Sequence, residues 1–101
     1  MAMGMAGDGS PDVDGWTMRK PDEIALYAAL RARSHTVGTG PFAVQSPGSI
    51  YALEEEAARL GIPYKRAHAL VEKWVVRGWW DYGVSVRGGW FEPGSPEALA
   101  P

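Results

Sequence analysis

The sequence predicts an α+β domain, three helices against a small antiparallel β-sheet that ends in a β-hairpin. Three observations predict it. Apolar residues recur at helical spacing in three stretches, a period-two alternation begins at Trp80, and glycine or proline marks each change of pattern.

A chain of 101 residues, 46% of them apolar, makes one domain with a single core and little apolar surface to spare. The absence of cysteine excludes a disulfide framework and thiolate chemistry, and fits a reducing compartment. No run approaches the length of a membrane span, and the N-terminus lacks the charged and apolar regions of a secretory signal. The expectation is a cytoplasmic, nucleoid-associated protein with no membrane contact.

Met1 to Gly15 is rich in Gly, Met and Asp without a period, so residues 1–18 are expected to be a disordered arm, 19–93 the domain and 94–101 a flexible tail. Pro21, Asp22 and Glu23 suit the start of a first helix, with Ile24, Tyr27, Ala28 and Leu30 turned inward as far as about Ser34. His35 to Pro41 reads as a glycine-rich loop, and Phe42, Ala43 and Val44 as a short strand pairing with the hairpin. Ser46, Pro47 and Gly48 form a turn, with Ser49 as a helix cap.

In the second helix Leu53, Ala57 and Leu60 share one face, and Gly61 ends it as a left-handed cap. Pro63 starts the third, where Ala67, Leu70, Val71, Trp74 and Val75 form a full apolar stripe and Gly78 closes the helix. Trp80, Tyr82, Val84 and Val86 then alternate with Asp81, Gly83 and Ser85. Arg87, Gly88 and Gly89 turn the chain, and Trp90 and Phe91 return, so residues 79–92 make a hairpin. A helix pair followed directly by a hairpin is a winged helix-turn-helix.

The stretch from Leu53 to Trp80 resembles the bacterial winged helix-turn-helix DNA-binding domains of the MarR, GntR and phage replication-initiator type. Leu53, Glu54, Glu55, Ala57, Leu60, Gly61 and Ile62 match the run those families place before the recognition helix. Arg77, Gly78, Trp79 and Trp80 match its end. The resemblance covers residues 22 to 92 and implies three helices, a small sheet and a hairpin wing. The long polar loop after the first helix is similar to that of plasmid and phage replication initiators. Two positions depart from the pattern: Glu56 replaces an apolar residue, and Pro63 replaces a capping Ser or Thr.

The resemblance implies a double-stranded DNA-binding protein, a small transcriptional regulator with its third helix in the major groove. Tyr64, Lys65, Arg66 and His68 on the first turns would meet base edges or phosphates, with Arg66 the leading candidate for base readout. Arg66, Lys73 and Arg77 share one stripe, and Arg87 at the wing tip would reach the adjacent minor groove or its backbone. The whole chain has a net charge of −2, yet residues 64 to 91 hold Lys65, Arg66, Lys73, Arg77 and Arg87 against only Glu72 and Asp81. Two half-sites would call for a homodimer. The alternatives are a protein-binding adaptor, or the DNA-binding module of a replication or partition system.

Enzymatic chemistry is not expected. His35 and His68 lie on separate elements without further ligands at metal spacing, and no nucleophile motif or phosphate-binding glycine loop is present, so no catalytic residue, metal or cofactor is assigned. Of the tryptophans, Trp74, Trp79, Trp80 and Trp90 are expected in or against the core, with at least one indole exposed for an interface, and Trp16 as an anchor for the arm or a dimer partner.

Overall fold

The computed structural model describes residues 12–83 and 89–100, with side chains from Lys20 onward. The chain runs α1 (Asp12–Arg33), β1 (His35–Val37), a 3-10 turn (Gly40–Phe42), β2 (Val44–Ser46), α2 (Ala52–Leu60), α3 (Tyr64–Val76), β3 (Trp80–Asp81) and β4 (Trp90–Phe91). Among the described residues, the result is an α+β fold of three helices and one antiparallel four-stranded sheet in the order β1-β2-β4-β3. No helix among the described residues is long and apolar enough to cross a membrane.

α1 starts at Asp12 and carries Pro21 inside it, upstream of the start that Pro21 suggests. Proline's φ fits any helical position. Its cost is one missing N–H and a crowded carbonyl one turn back, so it marks a boundary only as a tendency. The inward stripe is Glu23, Leu26, Tyr27 and Leu30, at i, i+3, i+4 and i+7, whereas Ala28 is exposed and Ile24 half-buried.

Gly61 and Gly78 close α2 and α3 in the same way, with φ of 72° and 77°. Ile62 N–H donates to the Ala57 carbonyl at 2.9 Å and Gly61 N–H to Ala58 at 3.2 Å; Trp79 and Gly78 repeat this on Trp74 and Val75 at 2.9 and 3.0 Å. Both are Schellman closures, which consume carbonyls that a helix end otherwise leaves without a partner. Pro63 is the extended residue before α3, with no side-chain oxygen capping the first turn. Ser49 lies two residues before the cap position, which Tyr51 occupies: its Oγ accepts from Tyr51 N–H at 3.0 Å.

Glu56 is buried, and two arginines explain how an acid is tolerated there. Arg33 Nη1 donates to Oε2 at 3.1 Å and Arg59 Nε to Oε1 at 3.0 Å, so the carboxylate enters the α1–α2 contact fully partnered.

The sheet differs from the expected one in its first half. β1 lies in the stretch read as a loop, and β2 begins at Val44, where the expected strand Phe42–Val44 ends. Gly40, Pro41 and Phe42 close into a turn, Ala43 N–H donating to the Gly40 carbonyl at 3.2 Å, which leaves Phe42 85% exposed. β1 pairs with β2 from His35↔Ser46 to Val37↔Val44, β2 pairs with β4 at Gln45↔Phe91, and β3 with β4 at Trp80↔Phe91 and Asp81↔Trp90. The base of the 79–92 hairpin is therefore formed, while Val84, Val86 and Arg87 lie outside the described residues, as does the first part of the arm.

One core joins all three helices to the hairpin. Trp74, Tyr27 and Phe91 are fully buried at its centre, Tyr27 meeting Trp74 edge-on with ring centroids 5.0 Å apart and Phe91 at 4.9 Å. Trp80 is buried against Phe91 at 4.8 Å, and Trp79 and Trp90 are half-buried. Residues 94–100, read from the sequence as a tail, lie against α1: Tyr27 Oη donates to the Pro96 carbonyl, Arg31 Nη1 to Ser95 Oγ at 3.1 Å, and Leu99 packs on the core.

Candidate nucleic-acid interface

The direction in which α3 presents its side chains follows from its buried arc. Ala67, Leu70, Val71 and Trp74 face the core, which leaves Tyr64, Lys65, His68, Glu72 and Val76 on an outer face and Arg66 and Lys73 on the flank beside α1.

On the outer face, aromatic rings form a row. Tyr64 lies 5.9 Å from His68, and His68 stacks on Tyr82 at 6.1 Å with their planes 21° apart. Tyr82 Oη donates to Glu72 Oε2 at 2.7 Å. Burial first, and then the Glu72 carboxylate, push the Tyr82 phenol far above its ordinary range, so it is a fixed donor at physiological pH. The row borders a groove of about 280 Å³ shared with Ile50 and Leu53 at the start of α2. Lys65 is exposed and has no carboxylate partner among the described residues.

The inner flank is an ion-pair seam. Arg66 Nη1 pairs with Asp22 Oδ2 at 2.6 Å, both partners part-exposed. Lys73 Nζ donates to Glu23 Oε1 at 3.1 Å, and Trp74 Nε1 to Glu23 Oε2 at 2.9 Å. Glu23 is 4% exposed. The stripe of Arg66, Lys73 and Arg77 thus exists, but its first two members point at α1, and the Arg77 guanidinium lies 4.9 Å above the Trp79 ring. Tyr64 and His68 come together on one surface and Arg66 and Lys73 on another, with Lys65 exposed between them at the edge of the α1–α3 cleft. Sequence reasoning assigned Asp22 and Glu23 to the helix dipole and did not single out Tyr82 or Glu72. The available signal was the position of Glu23 one helical turn before Tyr27 and two before Leu30, on the inward stripe.

Burial raises the pKa of Glu23, but the Trp74 indole and the Lys73 ammonium outweigh it and hold the carboxyl below its ordinary value. A lowered folded-state pKa means stability that is fully present above the ordinary carboxylate range and is lost as pH falls through it to the lowered value. Glu23→Gln retains an acceptor for Trp74 and removes this linkage. The variant is expected to lose about 1–2 kcal/mol at pH 7, and to lose less than wild type between about pH 5 and 3. Urea melts across that range check it; parallel acid profiles would acquit Glu23 of any part in acid unfolding.

Comparison with protein-family models, curated proteins and solved structures finds no match to this chain.

Proposed function

We propose that this chain is a winged helix-turn-helix protein that binds double-stranded DNA as a small transcriptional regulator, with α3 in the major groove and the β3–β4 hairpin over the adjacent minor groove or backbone. The observation that carries the reading is the exposure of Tyr64, Lys65 and His68 on the first turns of α3, while Ala67, Leu70 and Val71 behind them root the helix in the core. Lys65 becomes the leading cation, because the pairing with Asp22 turns Arg66 toward α1 and away from the outer face. Tyr64 and His68 supply a hydroxyl and an imidazole for base edges, and Arg87 keeps the wing-tip role its sequence position suggests. A homodimer on two half-sites supplies the contacts that a surface with so few exposed cations needs.

A protein-binding adaptor is the second reading, favoured by the pairing of Arg66 and Lys73 and by the exposure of Tyr51, Tyr64 and Val76, at 57%, 52% and 86%.

Fluorescence anisotropy of mixed-sequence duplex DNA at two salt concentrations separates the two. The expected result is salt-sensitive binding, weakened about tenfold or more in Lys65→Ala/His68→Ala, with Lys65→Ala alone reducing the log–log salt slope by roughly one. Absence of binding at low salt would remove the DNA reading and leave the adaptor.

A further inference from the structure

We propose that the cleft between α1 and α3 is a docking groove for an acidic, amphipathic peptide segment of a partner protein. It lies on the α1 flank of α3, apart from the row of Tyr64, His68 and Tyr82, and so goes beyond the DNA reading.

The cleft has a volume of about 710 Å³, room for a few side chains. Lys20 from α1 and Lys65, Arg66 and Lys73 from α3 line it, and Pro63, Ala69 and Leu70 give it an apolar component. Among the described residues, Asp22 and Glu23 are the acids on this seam, and both are engaged. The pairing does not exhaust the cations. Arg66 spends Nη1 on Asp22 and Lys73 one proton on Glu23, while a guanidinium carries five N–H groups and an ammonium three. Both side chains keep nearly two-fifths of their surface exposed, at 39% and 38%.

The chain as a whole carries a net charge of −2, so a cationic cleft is a local reversal of sign that selects an anionic occupant. The apolar lining decides which kind. A phosphate backbone would satisfy the cations and set hydrated, charged groups against Pro63 and Leu70, at a desolvation cost with no return. A peptide helix with carboxylates along one edge and Leu or Phe along the other satisfies both the charged and the apolar parts.

The test uses the full chain and a labelled synthetic peptide with Leu and Phe at helical spacing and Glu elsewhere. A control peptide has every Leu and Phe replaced by Ser. Saturable binding is expected, weakened about tenfold or more by Ala69→Glu, by Lys20→Glu and by the serine replacements. Ala69 is exposed on a helix, so Ala69→Glu should fold, and Ala69→Lys, of similar length and opposite sign, should bind at least as well as wild type. The proposal is overturned by no binding, by binding indifferent to these substitutions, or by equal binding of the serine peptide. It is equally overturned if Lys20→Glu weakens duplex DNA binding and leaves the peptide untouched, which would make the cleft a phosphate track. Lys65 lines the cleft and serves both readings, so the DNA reading is judged on His68 and the groove on Lys20 and Ala69, which keeps the two failures distinguishable.

Discussion

Trp74→Ala is expected to leave the protein unfolded, or barely folded, at room temperature. The indole is fully buried between Tyr27 and Phe91, and truncating a core tryptophan costs about 3–5 kcal/mol through lost contacts and the cavity left behind. A second loss adds to it. Glu23, 4% exposed, gives up the indole N–H at 2.9 Å and keeps only Lys73 as a partner. Domains of this size hold about 5–15 kcal/mol in total, so one substitution consumes much of the margin. Trp74→Phe separates the two parts, because it retains most of the apolar volume and removes only the donor. It should cost about 1–3 kcal/mol in urea unfolding, and the share owed to the hydrogen bond should vanish when Glu23→Leu, which removes the acceptor, is made in the same chain. Additive losses in the double variant would show that the hydrogen bond carries no coupling.

Gly89→Ala is the second large effect, and its cause is steric. A Cβ at position 89 would lie 2.6 Å from the Asp81 carbonyl oxygen and 2.6 Å from Cε2 of Trp80. Neither can yield easily. The oxygen belongs to the backbone of β3, and the Trp80 ring is held edge-on to Phe91 at 4.8 Å. The methyl must therefore push β3 away from β4, and overpacking of this kind costs about 1–3 kcal/mol, here at the upper end because backbone has to move. A thermal melt should show the loss, and near-ultraviolet circular dichroism should show the aromatic signal of the Trp80–Phe91 pair changing before the melt begins. An unaltered aromatic spectrum with wild-type stability would mean that the hairpin can open at position 89 without penalty.

The helix pair was legible in the sequence for a physical reason. Each of its boundaries is set by neighbouring residues, with Gly61 and Gly78 supplying left-handed caps immediately after an apolar stripe, and local chemistry is what a sequence displays directly. β1 was hidden because three residues joined by backbone bonds to β2 need no apolar alternation of their own. The start of α1 was hidden because a proline in the first turn and a proline two turns in look alike. The stripe Arg66, Lys73, Arg77 was legible as a stripe, while its ion-pair partners on α1 were not. Spacing fixes which side chains share a side of a helix, and only the packing of α1 decides that this side meets Asp22 and Glu23. Lys65, Tyr64 and His68 kept their expected exposure because they lie across the helix from the buried arc, whatever covers its flank.

The seam between β2 and β4 has a kinetic meaning. Ser46 Oγ donates to the Gly89 carbonyl across 43 residues, and Gln45 faces Phe91 on the neighbouring strand, so both helices of the α2–α3 pair lie inside a loop that this seam closes. Closing a loop of that length costs about 3 kcal/mol of chain entropy, which the local turns of α2 and α3 never have to meet. The helices are expected to form early, the gathering of Tyr27, Trp74 and Phe91 into one core to meet that cost at the rate-limiting step, and the hydrogen bonds of the seam to zip last, after it. Substitutions at Ser46 or Gln45 should then act on the unfolding limb of a chevron plot and leave the folding limb nearly unmoved. Strengthening the seam would lengthen the lifetime of the native state without making the chain fold any faster.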